Sequence, residues 1–235
     1  MSAKWRGEGS QHQGSRPYQE DSWALRTLAD GSLLAIVADG MGGHAGGAVA
    51  SKLVVESFVK AVEGGASLAD ALQAANAAVK ARAEGSSDLT GMGSTLIAAK
   101  LKGYAVSWIS VGDSPFYLVF SGRIERLNAD HSMAPQIDAL ASRGVITAEE
   151  AAAHPGRHTL REAVMGDPLS LIDEGQRRLV PGATLLLCSD GVESLAHERI
   201  AAAAGMSVRG LIDAVIATRR AHQDNVTVIK LDQKP

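Results

Sequence analysis

The 235-residue sequence has one cysteine, few aromatic residues and no long apolar run. The single cysteine, Cys188, excludes an internal disulfide framework and is consistent with a reducing compartment. The first residues are polar, and no segment approaches the roughly 18 to 20 apolar residues of a membrane-spanning helix. We therefore expect a cytoplasmic protein without a membrane partner.

The chain also lacks a surplus of charge of one sign. Its formal net charge is −3, which gives no reason to expect the clustered basic surface that binds nucleic acid. The hydrophobic share of 46% and the charged share of 21% are typical of a globular protein. No linker is visible, so the length predicts a single domain over residues 1–235. Aromatic residues make up 4%, so the core must consist largely of Ala, Val, Leu and Ile.

Six apolar runs have the length and composition of β-strands. Lys102-Gly103 separates the second run from the third, and Ser121-Gly122 separates the fourth from Arg123 to Leu127. These short connections predict tight hairpins and antiparallel pairing. The runs are residues 33–38, 94–101, 104–111, 116–120, 183–189 and 226–231.

Helical periodicity occupies separate blocks of the chain. Residues 47–62 and 67–84 predict two helices between the first two strands, and residues 208–222 predict another before the last strand. A further block covers residues 133–142 and 147–153, where Thr147 and Glu150 have capping-box spacing. Blocks of helices and blocks of hairpins indicate an α+β fold and not regular alternation of strand and helix.

Four aspartates lie at the ends of predicted strands. Asp39 and Asp190 each stand before a glycine directly after an apolar run, Asp113 follows the run that ends at residue 111, and Asp224 precedes the last run. A carboxylate beside a buried strand costs several kcal/mol unless a positive charge meets it. Any one of these acids is compatible with a solvated turn, since Asp-Gly is common in turns. Four such aspartates in this arrangement predict a site where they bind cations together.

The residue types indicate which cations these are. Carboxylates without a thiolate cluster favour Mg²⁺ or Mn²⁺ over Zn²⁺. Gly40, directly after Asp39, has no side chain, so its backbone carbonyl can approach a metal or the water around it. We therefore expect a site for hard divalent cations.

Seven short motifs follow one another along the chain: Arg16-Pro-Tyr-Gln-Glu20-Asp21, Val37-Ala-Asp39-Gly40-Met-Gly-Gly-His44, Gly93-Ser-Thr95, Val111-Gly112-Asp113-Ser114, Asp130-His131-Ser132, Ser189-Asp190-Gly191 and Asp224-Asn225-Val-Thr227. In this order they resemble the motif series of the protein phosphatase 2C family, from about residue 10 to about residue 231. The Met-Gly-Gly after the first Asp-Gly is similar to bacterial members.

The resemblance implies a fold and an activity. The fold is a four-layer α-β-β-α sandwich, in which two antiparallel sheets are flanked by helix pairs. The activity is metal-dependent hydrolysis of phosphoserine and phosphothreonine in protein substrates, with a serine/threonine kinase as an expected partner in bacterial signalling. Residues from about 133 to 166 resemble the family's flap beside the active site.

The resemblance also implies a centre of two cations. Asp39 would bridge the two metals, and the carbonyl of Gly40 would join the second metal. Asp190 and Asp224 would hold the first metal. Two dications lower the pKa of a bridging water enough to supply hydroxide near neutral pH.

Four other residues acquire roles by the same resemblance. Glu20 and Asp21 would bind the metals directly or through waters, and Asp113 resembles the acid that holds a third, weaker metal. Arg16 would bind the substrate phosphate, because a guanidinium donates two parallel hydrogen bonds to phosphate oxygens.

Two residues are assigned less directly. His44 could protonate the departing alkoxide, but a role at the start of a helix or in the scaffold stays open. Because direct attack by hydroxide needs no phospho-enzyme, Cys188 is predicted to be a buried strand residue.

Three positions depart from the family pattern. Gln19 stands where bacterial relatives usually have Asn, and Pro115 replaces the usual Arg of Gly-Asp-Ser-Arg. Ser194 stands where relatives often carry an acid that helps to hold the third metal, with Glu193 one position early. The two-metal core is intact, whereas the third metal site and full turnover stay open.

Two rival interpretations come from other functional classes. Gly40-Met-Gly42-Gly-His-Ala45 after a strand resembles a dinucleotide-binding fingerprint, although Asp39 would repel a pyrophosphate. The second rival is a catalytically weak phosphatase-like domain that binds a phosphopeptide or a partner. The sequence does not indicate the oligomeric state.

Overall fold

The fold is built from eleven strands and six helices in the part of the chain that the computed structural model describes, residues 4–42 and 45–233. The strands are β1 (Trp5–His12), β2 (Asp21–Thr27), β3 (Leu33–Met41), β4 (Gly93–Ser94), β5 (Leu96–Lys102), β6 (Ala105–Val111), β7 (Phe116–Phe120), β8 (Arg123–Arg126), β9 (Asp173–Arg178), β10 (Thr184–Cys188) and β11 (Val226–Gln233). The helices are α1 (Ala45–Glu63), α2 (Leu68–Glu84), α3 (Ala134–Ser142), α4 (Ala148–Ala152), α5 (His197–Ala203) and α6 (Val208–Ile216).

The strands form two antiparallel sheets. The first sheet has the order β1-β11-β10-β7-β8. The second has the order β2-β3-β5-β6-β9, with the short β4 paired to the end of β3. The strand that follows α1 and α2 therefore runs antiparallel to β3. A dinucleotide-binding fingerprint requires a parallel crossover at this point, so that rival interpretation is wrong.

Three hydrophobic clusters define the layers. One lies between the two sheets and includes Val37, Ile97 and Leu187. A second joins α1 and α2 to the outer face of the second sheet, and a third joins α5 and α6 to the outer face of the first sheet. The predicted α-β-β-α sandwich is confirmed. No helix in the described part of the chain has the length and apolar character needed to span a bilayer.

The six predicted strands and both hairpins are present, whereas β1, β2 and β9 were missed. These three strands lie at sheet edges and are only partly buried, so polar and charged residues interrupt any apolar run in their sequences. In β9, Gly175 lies against the ring of Trp108, and an added Cβ would come within 2.1 Å of that ring.

The predicted helices over residues 47–62, 67–84, 133–142 and 147–153 are confirmed within a few residues. The capping box of Thr147 and Glu150 is present, with Thr147 Oγ1 accepting from the Glu150 amide at 3.1 Å. The helix predicted over 208–222 ends at Ile216, and Arg219 adopts a left-handed backbone conformation with φ 51°. Helix α5 was not predicted.

The contact between β9 and Trp108 gives a test of the edge strand. The ring cannot easily move away, because its Nε1 donates to Asp173 Oδ2 at 2.9 Å and its face packs at a steep angle against Phe116. Gly175→Ala should therefore lower the free energy of unfolding by about 1 to 3 kcal/mol. Urea denaturation measures this loss. Gly205→Ala is the control, since the nearest atom to its added Cβ is 3.7 Å away, and an equal loss there would contradict the explanation.

Candidate metal centre

One open cleft lies at the end of the sandwich where β3, β6 and β10 finish and where β2 and β11 begin. Its volume is about 510 Å³. Antiparallel strands bring these distant segments to the same edge, so Arg16 and Asp224, which are 208 positions apart, line the same cleft. Of the nine site residues predicted from the sequence, seven line the cleft: Arg16, Glu20, Asp39, Gly40, Asp113, Asp190 and Asp224.

The backbone around Asp39 is held by the Gly93-Ser-Thr95 motif. The Asp39 amide donates to Thr95 Oγ1 at 3.0 Å, and the Asp39 carbonyl accepts from the Thr95 amide at 2.8 Å and from Ser94 Oγ at 3.0 Å. Gly40 is crowded, since an added Cβ would lie 2.1 Å from the carbonyl oxygen of Gly47. The aspartate therefore leaves β3 at a fixed angle, and the residue after it must be glycine.

Asp21 lies beside Asp39, because the two residues are directly opposite in the β2–β3 ladder. Its side chain is buried, and Oδ2 accepts from Ser189 Oγ at 2.8 Å and from Thr227 Oγ1 at 2.6 Å. Its other oxygen, Oδ1, meets no hydrogen-bond donor among the described residues. Burial raises the pKa of Asp21 to about 6, against the two hydroxyl donors, which lower it. A buried carboxylate oxygen without a donor is suited to a cation or its water.

The other acids of the cleft repel one another. Burial raises the pKa of Asp39 and of Asp190 well above the ordinary range, and neighbouring carboxylates add to both shifts. Burial, followed by the charges of Asp130 and Glu193, raises the pKa of Asp113 to about 7. Full ionisation of this group of acids is therefore unfavourable unless positive charge enters the cleft.

Arg16 and Asp224 supply opposite charges at the rim. Arg16 Nη2 lies 2.5 Å from Asp224 Oδ2, and the two side chains are 50% and 37% exposed. An ion pair this exposed contributes only about 0 to 1 kcal/mol. A phosphate can therefore draw Arg16 away, and a cation can draw Asp224 away, at small cost.

Asn225 fixes the loop that carries Arg16 and Glu20. Its Nδ2 donates to the carbonyls of Gln13 at 2.7 Å and Tyr18 at 3.0 Å, and its Oδ1 accepts from the Glu20 amide at 2.7 Å. Asn225 belongs to the last of the seven motifs, but nothing in the sequence indicates that its amide positions this loop.

Arg126 of β8 is a site neighbour that the sequence did not reveal. Its Nη2 donates to the backbone carbonyl of Asp113 at 2.5 Å, and its Nη1 lies 3.3 Å from Asp130 Oδ2 and 3.5 Å from Glu193 Oε1. The guanidinium therefore brings positive charge close to Asp113. Pro115, in place of the family's usual Arg, has no side-chain donor, and the guanidinium near Asp113 comes instead from Arg126 of β8.

The neighbourhood of Ser194 is occupied by internal hydrogen bonds. Ser194 Oγ lies 2.9 Å from the carbonyl oxygen of Gly191 and 3.1 Å from Gln223 Oε1, so its single hydrogen is shared between these two acceptors. Glu193 Oε1 accepts from the Tyr117 hydroxyl at 2.8 Å in addition to its contact with Arg126. These interactions hold both residues in the protein scaffold.

The segment with resemblance to a flap does reach the cleft, since His158 and Leu160 line it. The sequence named no contacts there. His44 lies outside the described residues. Cys188 is fully buried in β10, as predicted, and burial raises the pKa of its thiol.

The arrangement of acids fits hydrated hard cations. Within residues 4–42 and 45–233, no three His, Cys, Asp or Glu side chains make up a ready ligand set by themselves. Mg²⁺ usually keeps several waters and takes one or two carboxylates, and carboxylate, carbonyl and water ligands also suit Mn²⁺. An open cleft bordered by carboxylates and a crowded glycine suits such ions better than a dry cage of thiolates or imidazoles.

The chain is similar to bacterial phosphatases in sequence and in structure. The Protein phosphatase 2C family model matches residues 8–225. Serine/threonine protein phosphatase PstP of Mycobacterium tuberculosis is 36% identical over 217 residues, 86% of this chain, and the chain spans only 40% of the length of that relative. Serine/threonine phosphatase stp of Listeria monocytogenes is 31% identical over 233 residues, which cover 93% of this chain and 91% of that protein.

Two solved structures named PstP share the fold. The crystal structure of M. tuberculosis PstP/Ppp has a TM-score of 0.84 at 32% identity and covers 98% of this chain and 99% of that one. The PstP catalytic domain in complex with two manganese ions has a TM-score of 0.81 at 30% identity, with 100% of both chains covered. The ordered motifs, the sandwich and the cleft agree with these matches, and the chain belongs to the protein phosphatase 2C family.

Proposed function

We propose that the chain is a protein serine/threonine phosphatase that depends on Mn²⁺ or Mg²⁺. The observation that carries the proposal is the convergence of Asp39, Asp113 and Asp190, whose pKa values are raised, on one cleft beside Arg16. Asp21, whose pKa is also raised, lies next to Asp39 behind this cleft. The names of the relatives and the two manganese ions in one related structure support it. The active unit is proposed to be a single catalytic domain over residues 1–235.

The proposed ligands are those that the family resemblance implies. Asp39 would contact both ions, the Gly40 carbonyl would join the second ion, and Asp190 and Asp224 would hold the first. Glu20 and Asp21 would act directly or through waters, and Asp113 would serve a third, weaker site. When bound, two such cations supply a hydroxide nucleophile near neutral pH and offset the charge of the phosphate.

The protein's own groups position the substrate and its leaving group. Arg16 is proposed to bind the phosphate through its two forked N–H groups once it leaves Asp224. The departing serine or threonine alkoxide needs a proton, and His44 is the donor proposed from the sequence. His158 lines the cleft and is exposed to solvent, so it is a further candidate for this role.

The biological setting is proposed from the same resemblance. Phosphorylated proteins would be the substrates, with a serine/threonine kinase among them. The single cysteine, buried in β10, supports a cytoplasmic location. The alternative is a phosphatase-like domain that binds phosphopeptides with little turnover, and Pro115 together with the internal bonds of Glu193 and Ser194 favours it.

Hydrolysis that depends on metal distinguishes these two functions. With Mn²⁺ present, we expect turnover of p-nitrophenyl phosphate and of a phosphothreonine peptide. Asp190→Asn should lower kcat/KM at least about 100-fold, because several kcal/mol of charge stabilisation would be lost. Phosphate release is the measurement. Activity that persists in EDTA would contradict the mechanism, and binding of the peptide without turnover would favour the alternative.

Thermal unfolding tests the metal centre without relying on catalysis. At about one hundred times its Kd, a bound ion stabilises by about 2.7 kcal/mol, which corresponds to a rise in Tm of roughly 5 to 10 °C for a chain of this size. Asp39→Asn should abolish most of this rise. In EDTA the same variant should be at least as stable as wild type, because it relieves carboxylate repulsion. A wild-type response to the metal in Asp39→Asn would contradict the assignment.

Arg16 variants test phosphate binding. A hydrogen bond to a charged group contributes about 1.5 to 3 kcal/mol, so Arg16→Ala should lower kcat/KM for the phosphopeptide about 10- to 100-fold. Arg16→Lys keeps the charge but loses the forked geometry and should lie between alanine and wild type. Steady-state kinetics measure the effect. The rise in Tm on adding metal serves as the control and should not fall below its wild-type size, because Arg16 is not a proposed ligand and its removal frees Asp224 for the metal.

A further inference from the structure

A second groove lies at the end of the sandwich opposite the cleft. It has a volume of about 440 Å³ and is lined by residues of β5, β6 and β9. Strand β5 begins next to Thr95 at the cleft and ends at Lys102 beside this groove. At about 3.3 Å per residue, the groove and the cleft are roughly 20 Å apart along the strand.

The groove faces outward from the sandwich. Ala99 and Leu101 of β5 belong to the core between the two sheets. Because side chains alternate along a strand, Lys100 and Lys102 lie on the opposite face, the one that α1 and α2 cover elsewhere. Lys102 is 67% exposed, so the helices do not extend over this end of the sheet.

Strand register gives the groove a floor and two walls. Ala105 is paired with Lys102 on one side and with Arg178 on the other. One step along the strand, Ser107 is paired in the same way with Lys100 and Gln176. Small residues of β6 therefore form the floor, and long side chains of β5 and β9 form the walls.

The dimensions suit one extended polypeptide. The walls are two strand spacings apart, about 9.5 Å. This width is close to the distance between two β-sheets that pack face to face. Lys100 and Lys102 are two residues apart, about 6.7 Å along the strand. This separation equals that of alternate side chains in an extended peptide laid along β6.

The charges of the groove are mostly positive, although the whole chain carries −3. Asp30 is shared by Lys100 at 3.7 Å and Lys102 at 3.3 Å, so one carboxylate faces two ammonium groups. Arg178 has no ion pair within the described part of the chain. Arg177 also borders the groove but pairs with Glu125 of β8 at 2.5 Å. Three cations therefore face one carboxylate.

We propose that this groove binds an extended acidic segment of a partner protein, with acidic side chains at alternate positions. The partner's carboxylates would meet Lys100, Lys102 and Arg178, and Asp30 would compete for the two lysines. A single-stranded nucleic acid is less suited, because such sites stack bases on aromatic rings and no aromatic residue lines this groove in the described structure. The proposal goes beyond phosphatase activity and does not depend on it.

Binding of a labelled peptide tests the groove directly. The probe is a short fluorescein-labelled peptide with Glu at every second position, and its partner peptide carries Gln instead. Fluorescence anisotropy in EDTA, at low ionic strength and at about 0.15 M salt, gives Kd. Charge reversal of Lys100, Lys102 and Arg178 to Glu should raise Kd at least about tenfold, since each exposed pair adds a modest favourable contribution. Asp30→Asn should lower Kd about two- to fivefold by releasing both lysines.

A matched control carries the same change in charge elsewhere. Arg82, Arg199 and Arg209 are exposed on helices away from the groove, and their reversal to Glu should leave Kd within about twofold. The proposal would be overturned if both triple variants lost affinity for the Glu peptide equally. It would also be overturned if wild type did not bind the Glu peptide, or bound the Gln peptide equally well. Tighter binding of single-stranded RNA or of anionic vesicles at the groove would overturn the choice of a polypeptide.

The groove variants also separate this proposal from the proposed activity. Metal-dependent hydrolysis of p-nitrophenyl phosphate should be unchanged in the triple groove variant. Its Tm should fall by no more than about 5 °C, because the exposed ion pairs of Asp30 contribute little to stability. If the variant loses peptide binding but keeps full p-nitrophenyl phosphate hydrolysis, the groove is a binding surface separate from the cleft. Loss of both, with a lowered Tm, overturns it.

Discussion

Repulsion among carboxylates at one end of the sandwich is the constraint that explains the site. Asp21 and Asp39 are neighbours in one ladder, and Asp113 and Asp190 arrive from two other strand ends with raised pKa values. Removing water from such groups costs free energy unless positive charge compensates. The fold accepts this cost at a cleft open to solvent, where cations can enter. The carboxylates that make the cleft suited to cations are therefore the same groups whose repulsion destabilises this end of the fold.

The surrounding structure limits the cost by fixing the acids in place. Thr95 and Ser94 hold the backbone of Asp39, and hydroxyls from β11 and the end of β10 donate to Asp21. These donors come from both sheets. The acids are thus oriented by rigid strands before any ligand binds, which reduces the reorganisation needed for binding.

The two ends of the sandwich differ in charge, and the same strands connect them. At one end β5 meets the acidic cleft, and at the other its lysines border the basic groove. Arg126 brings a cation to the acidic side, next to Asp113, while Asp30 brings an anion to the basic side. The small net charge of the chain hides this separation, because opposite charges cancel in the sum although they lie far apart.

The residue pattern predicts the central strands and the acids at their ends, because central strands are apolar and hard cations prefer carboxylates. The motif series predicts the sandwich. Seven of the nine predicted residues line one cleft. Only the folded chain reveals the edge strands β1, β2 and β9, the positioning roles of Asn225 and Arg126, and the basic groove. The edge strands are only partly buried, so polar residues interrupt their apolar ones, and the partners of Arg126 include Glu193, sixty-seven positions away. Register across three strands brings the groove's cations together, and no local pattern in the sequence encodes that register.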